Sequence, residues 1–308
     1  MVAAALYYRG MPRMIGVLLF LVSAVAAADD AVPAWLIRLP ESVSTVFVAE
    51  TSAALFHRFD RTARGVTRVA EDYMSIGKGG VGKTHLGDQR TPLGIYFVTE
   101  QLDTTRLHEK YGATAFPLDY PNAWDRRLGR TGYGIWVHGM DRRNGQRPRL
   151  DTDGCIALPN ERLLVLEDTF EANVTPVIIG AELAWIDAAV LAPTREALER
   201  AVARWAAALE EGDMFAWLAL YDDDFRHWNM NKDEWTAFSL ETVGRRDIAA
   251  VRITDLLLLA DPVEEGLFLA RFRLEIVEQG GAAVTTLRRM YWRRSASGAL
   301  TIVAEDSG

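Results

Sequence analysis

The sequence predicts an α+β protein in two parts: a β-rich domain over residues 42–181, then a second α+β domain over residues 182–308. Three observations carry this reading. Short apolar runs with strand character, separated by segments dense in Gly, Pro, Asp and Thr, fill the first part. Helical spacing of apolar residues begins between residues 181 and 194, and long apolar runs joined by Gly280-Gly281 follow from Ile248 onward. With 308 residues and 49% apolar content, the chain has material for about two cores and too much apolar surface to stay disordered.

Taken in order, the chain begins with Arg9 and Arg13 ahead of an apolar run from Met14 to Ala28 (MIGVLLFLVSAVAAA), closed by Asp29 and Asp30. This is the pattern of an export signal over residues 1–28, cleaved after Ala28, with Met11 as an alternative start. The run falls short of the roughly 18 residues a membrane-spanning helix needs, so a retained anchor is the weaker alternative. Residues 29–41 read as a linker, and the protein as exported to the periplasm or cell envelope.

Within SVSTVFVAETSAALFHRFD, Val43, Thr45, Phe47 and Ala49 alternate with their neighbours, which predicts strand. TRVAEDYMSIG, PLGIYFVTEQL and YGIWVHGM are further strands, ERLLVLEDTFEA a short helix and TPVIIG a closing strand. In the second part, Leu198, Val202, Trp205 and Leu209 fall on one helical face, with Thr194 as N-cap and Gly212 as terminator. A shorter helix, about Met214 to Tyr221, comes next, then a solvated turn at Asp222, Asp223 and Asp224, which has no companions at calcium-loop spacing. VRITDLLLLA, LFLARFRLEIVEQ, AVTTLRRMYWRR and ALTIVAE complete an antiparallel sheet. Trp217, Tyr221, Phe225, Trp228 and Trp235 are core aromatics or pocket lining.

The net charge of −8 sits entirely in residues 182–308, which hold 14 basic and 22 acidic side chains. An acidic second half argues against nucleic acid as its partner.

One motif points away from the rest. Gly77 to Thr84 (GKGGVGKT) spells a phosphate-binding loop. That loop works only when its lysine and threonine open a helix, so that backbone N–H groups and the helix dipole face the phosphates. Gly87, Pro92 and Gly94 fall inside the segment where this helix would have to be. The bland reading, a glycine-rich turn between strands, is preferred, and nucleotide binding is the third functional alternative.

The chemistry concentrates between Ile135 and Asn160. Cys155 is the only cysteine, so it cannot form an internal disulfide. A thiol is nucleophilic as thiolate and needs a base near neutral pH. His138 ends the apolar run Ile135–Val137, seventeen positions before Cys155, a separation that lets a loop return the chain alongside its own strand. Gly154 permits a sharp turn ahead of the thiol, so the backbone N–H groups of Gly154 and Cys155 are candidates to hold a developing oxyanion. A small buried cysteine and a core histidine are the bland alternatives.

These residues resemble the L,D-transpeptidase catalytic domain. His138-Gly139 and Thr152-Asp153-Gly154-Cys155-Ile156 are similar to its His-Gly and Ser/Thr-x-Gly-Cys-Ile/Val signature, and GDQRTPLG (Gly87 to Gly94) to its Gly-Asp-x-x-Thr-Pro-x-Gly segment. LDYPNAWD (Leu118 to Asp125) is similar to a branch with murein-trimming and lipoprotein-releasing members. The resemblance implies Cys155 as nucleophile, His138 as base and the Gly139 carbonyl as the group orienting the imidazole. It implies peptidoglycan stem peptides as substrate, cleaved at the L,D-bond through a thioester, with no cofactor and no metal. An envelope lipoprotein or other envelope protein is a further candidate partner; nucleic acid and nucleotide are not expected. Thr152, Asp153, Tyr120 and Asn122 become candidate substrate contacts. Many members carry arginine where Ala157 stands, so Arg147 and Arg149, from a loop that also holds Arg142 and Arg143, are candidates for the stem's carboxylates, with Arg126, Arg127 and Arg130 upstream. The C-terminal part resembles the cone-shaped, cystatin-like fold of nuclear transport factor 2. A non-catalytic envelope-binding module is the alternative from a different class.

Overall fold

The computed structural model describes residues 31–63, 65–140, 147–281 and 283–307. The expected export signal at residues 1–28, with Arg142 and Arg143, lies outside them. Among the described residues no helix is long and apolar enough to cross a membrane.

The α+β class is observed. A five-stranded sheet runs in the order Gly65–Tyr73, Leu55–Thr62, Thr45–Glu50, Pro176–Gly180, Gly94–Phe97. Its central strand, expected to alternate between buried and exposed, is buried from Thr45 to Ala49, because both faces of the sheet are covered. Phe47, Ala49, Val177 and Ile179 pack toward a smaller sheet of Ile156–Leu158, Trp136–Gly139 and Ala115–Pro117, through Phe116, Val137, Ile156 and Leu158. Phe170 fills the gap between the two layers, stacked 4.3 Å from both Phe47 and Phe116. On the other face, Val46, Val48, Phe59, Ile95 and Ile178 pack against Leu257, Leu259, Leu267, Leu269 and Tyr291 of the C-terminal sheet.

That sheet has six strands: Tyr221–Arg226, Leu300–Ser307, Ala283–Arg294, Leu267–Glu278, Ile248–Ala260 and Leu36–Arg38. The double-glycine hairpin is present, with Gly280 in the left-handed region at φ 68°. The long helix Ala188–Glu210 covers the sheet's outer face through Leu198, Val202, Trp205 and Leu209.

Four local expectations change. The segment read as a linker forms two strands: Ala31–Pro33 pairs with Trp185–Asp187, and Leu36–Arg38 becomes the sixth strand of the C-terminal sheet. The long helix starts at Ala188, capped by the Asp187 carboxylate accepting from the Ala189 N–H at 2.8 Å, and it takes Pro193 and Thr194 into its early turns. The second helix stops at Leu218, and Asp222–Asp224 lie in the strand Tyr221–Arg226, where Asp222 pairs with Arg293 at 3.0 Å. A further helix, Lys232–Thr242, opens on a capping box between Asn231 and Glu234. Trp217, Tyr221, Phe225 and Trp235 belong to the helix-on-sheet core, and Trp228 is exposed.

Candidate active site

The strands Trp136–Gly139 and Ile156–Leu158 lie parallel, with Val137 opposite Ile156 and His138 opposite Ala157. Alternation sends Val137, Ile156 and Leu158 into the core, which leaves Trp136, His138 and Cys155 on the other face. Cys155 precedes Ile156 by one residue and so sits diagonally across the pair from His138. Both line a cleft of about 440 Å³.

Each member of the pair is held by groups the sequence placed beside it. His138 is buried, and its Nδ1 lies 2.6 Å from the Gly139 carbonyl oxygen. A carbonyl only accepts, so Nδ1 carries the proton and Nε2 keeps its lone pair. Glycine is required at 139: an added Cβ would stand 2.1 Å from Asn160 Oδ1, which itself accepts from the Ala113 N–H at 2.8 Å. Tyr111 packs edge-on against the imidazole with centroids 5.3 Å apart. Burial depresses the His138 pKa to about 4, opposed by the Gly139 carbonyl and reinforced by Arg147 and Lys110.

On the thiol side, Thr152 Oγ1 donates to the Cys155 carbonyl at 2.7 Å and accepts from the Gly154 N–H at 3.1 Å. Both bonds use the hydroxyl, which threonine shares with serine. Gly154 adopts φ 126°, and an added Cβ would lie 2.8 Å from the Arg90 carbonyl oxygen. The thiol is buried and donates to the Gly134 carbonyl at 3.4 Å. Burial pushes its pKa up to about 11, against the pull of the Trp136 backbone N–H and Lys110.

A neutral imidazole and a neutral thiol on one cleft face are suited to general-base chemistry and are not a preformed ion pair. Lowering the pH through about 4 protonates the Nε2 lone pair, and raising it through about 11 removes the thiol proton. The kcat/KM of any reaction that depends on this pair is therefore expected to stay level from about pH 5 to about pH 10. An acid limb near the ordinary histidine value, measured in a pH–rate profile, would overturn this.

The remaining candidates divide. Asp153 lines the cleft mouth and pairs with Lys78 at 3.3 Å and Lys110 at 3.7 Å. Arg147 lines the cleft and is tied to Asp151 at 3.3 Å. Arg149 does not reach it: its Nη2 donates to the Thr51 carbonyl at 2.7 Å. Tyr120 and Asn122 are buried and used structurally. The Tyr120 hydroxyl donates to the Thr131 carbonyl at 3.2 Å, while Asn122 caps the helix Ala123–Arg127 and donates to the Ile95 carbonyl at 2.9 Å. Their whole segment docks on the C-terminal sheet, through Asp119 with Arg289, Arg126 with Asp306 at 2.6 Å, and Trp124 on Tyr291. Arg127 and Arg130 are likewise spent, on the Val303 carbonyl and on Asp125.

Lys78, Lys110, Tyr111, Tyr133 and Trp136 also line the cleft, and the motifs did not mark them. Trp136 alone had a readable signal, since it lies two positions from His138 on one strand face.

In the phosphate-loop spelling, the residues after Thr84 form a turn and then the strand Gly94–Phe97, with no helix between. Lys83 Nζ is buried against Asp88 Oδ1 at 2.7 Å and donates to the His85 carbonyl at 3.0 Å. The Gly-Asp-x-x-Thr-Pro segment thus supplies the carboxylate that takes up this lysine. Its threonine, Thr91, closes the glycine turn by accepting from the Gly77 N–H at 2.9 Å.

Parallel strands present a cysteine and a glycine-oriented histidine to one cleft, on a scaffold similar to that of the L,D-transpeptidases. Residues 50–179 match the model of the L,D-transpeptidase catalytic domain, YkuD, a family that acts on peptidoglycan stem peptides. The structure is similar to that of Bdellovibrio bacteriovorus Bd1075, at 24% identity over 91% of this chain and 98% of that one, with a TM-score of 0.72. It is also similar to the helical cell shape determining protein Pgp2 of Campylobacter jejuni, at 20% identity over 85% and 91% of the two chains, with a TM-score of 0.71. At these identities the likeness is one of fold, and it spans both parts of the chain. No curated protein matches in sequence.

Proposed function

We propose that the protein is an exported cysteine enzyme that cleaves the L,D-bond of peptidoglycan stem peptides, its catalytic domain spanning residues 42–181. The observation that carries this is the pair itself: His138, with Nε2 left free by the Gly139 carbonyl, and Cys155 share one face of one cleft. Nε2 takes the thiol proton as sulfur attacks the carbonyl carbon of the diamino acid. The C–N bond breaks, His138 returns the proton to the departing amine, and a thioester remains. Water then gives a shortened stem, or an amine gives a cross-link.

The developing oxyanion has two candidate donors. The Gly154 N–H is engaged with Thr152 Oγ1, so the Cys155 N–H is the principal one. Arg147 and Asp153 supply charge for the stem's carboxylates and ammonium, and a lipoprotein attached to a stem is a candidate alternative substrate. The test is incubation with purified disaccharide-tetrapeptide, followed by mass. Tripeptide marks a carboxypeptidase and a 3–3 linked dimer a transpeptidase.

One observation favours a second reading, a non-catalytic envelope-binding module: the resting thiol donates to Gly134 and not to His138. That reading expects stem binding with no product from the wild-type chain.

A further inference from the structure

The register that brings Ala157 opposite His138 leaves no guanidinium beside the imidazole on that side. Positive charge reaches the pair from the other flank. Tyr111, edge-on to His138, also packs on Trp136 with centroids 4.6 Å apart, and the Lys110 ammonium sits 4.9 Å from the Tyr111 centroid. Lys110 lines the same cleft as Cys155.

Among the described residues, the cleft's other cations each hold a closer carboxylate partner. Lys83 is buried against Asp88, Arg147 is held by Asp151 at 3.3 Å, and Lys78 lies 3.3 Å from Asp153. Among the cleft's described cations, Lys110 has the longest carboxylate contact. Its carboxylate neighbour is Asp153, whose Oδ2 makes a long ion pair with it at 3.7 Å, while Oδ1 accepts from Gln89 Nε2 at 3.2 Å and Lys78 Nζ at 3.3 Å. A lysine ammonium has three donors, so this one retains capacity for an incoming anion.

The chemistry fixes where that anion falls. The imidazole that removes the thiol proton returns it to the departing amine, so the departing residue lies against His138. In a free amino-acid terminus the carboxylate is two bonds from that amine, within about 4 Å. We propose that Lys110 binds the terminal carboxylate of the stem, so that the cleft selects stems ending in a free acid over those whose terminal residue is amidated or extended. This rests on the hydrolytic or acyl-transfer reading above.

The test compares kcat/KM for disaccharide-tetrapeptide and for the same compound with a C-terminal carboxamide, using wild type, Lys110→Met and Lys110→Arg. Wild type is expected to prefer the acid by about tenfold or more. Lys110→Met should bring the ratio close to one, chiefly by raising KM for the acid, and Lys110→Arg should restore most of the preference. An unchanged acid-to-amide ratio in Lys110→Met overturns the assignment while leaving the cleavage reading intact. Equal loss on both substrates, unrescued by arginine, also overturns it and marks Lys110 as structural. No turnover of either substrate by wild type overturns the cleavage reading itself.

Discussion

Cys155→Ala is expected to abolish both tripeptide and cross-linked product, a loss of at least about 10⁴-fold in kcat, with the fold retained. Cys155 is buried at the start of a strand, and alanine keeps its backbone and removes one sulfur, so the cleft is little changed. Cys155→Ser is expected to be nearly as inactive. An alkoxide is harder to form than a thiolate, and His138, depressed to about 4 by burial, is a weak base for the task. Intact-protein mass during turnover supplies the second readout: wild type should carry a stem-peptide adduct, and Cys155→Ala none. Tripeptide formed by the alanine variant at more than a small fraction of the wild-type rate would remove Cys155 from the chemistry.

Asp88→Ala is expected to cost about 3–5 kcal/mol of stability, measured by urea denaturation. The Lys83 and Asp88 side chains are 3% and 4% exposed, so removing the carboxylate strands a buried ammonium. It also removes the acceptor used by the backbone N–H groups of Thr84, His85 and Arg90. Lys83→Met should cost less, because those three donors still satisfy the carboxylate. Burial raises the Asp88 pKa, but the Lys83 ammonium and the three N–H groups outweigh it and hold the carboxyl well below its usual range. The folded-state value is therefore depressed. The stabilisation is present above the unfolded carboxyl pKa of about 4 and is lost as the pH falls below it. A cost below about 1 kcal/mol would show that the pair contributes nothing net. Since Lys83 is consumed in this way, neither variant should alter retention on immobilised ATP.

The resting state of the pair bears on both readings of function. The thiol is hydrogen-bonded to the Gly134 carbonyl, and burial keeps both partners neutral. A neutral thiol resists oxidation and alkylation until a base takes its proton. In the proposed mechanism, that transfer follows rotation of Sγ from Gly134 toward His138 Nε2 once a stem occupies the cleft.

Much of the site was legible because its constraints are local. Thr152 bonds the Cys155 carbonyl three residues on, the Gly139 carbonyl meets the histidine beside it, and Gly154 turns its own stretch of backbone at φ 126°, so residue type exposes these needs. The close approaches of Asn160 to Gly139 and of Arg90 to Gly154 come from the tertiary fold. The broken helix after Thr84 was legible for the same reason: glycine and proline act on their own turn of chain. The succession of helices and then long strands in the second part followed from periodicity, but the parallel edge strand Tyr221–Arg226 and the true N-cap of the long helix, Asp187 instead of Thr194, did not. A proline six residues into a helix reads as its beginning, and only packing of the earlier turn against the sheet extends it backward.

What the sequence by itself determined, then, is the class of fold, the candidate nucleophile and base, and the local turns beside them, because these are legible from short-range geometry. Which charges reach the cleft was decided by the tertiary structure alone. Arg147 and Arg149 are two residues apart, yet one faces Asp151 and the cleft and the other the Thr51 carbonyl. Arg126 turns to Asp306 of a C-terminal sheet 180 residues away in the chain, and Lys110 arrives from a short helical turn, Glu109–Tyr111, without a motif. A long side chain takes its direction from whichever partner the folded backbone brings within reach, and sequence spacing does not encode that partner.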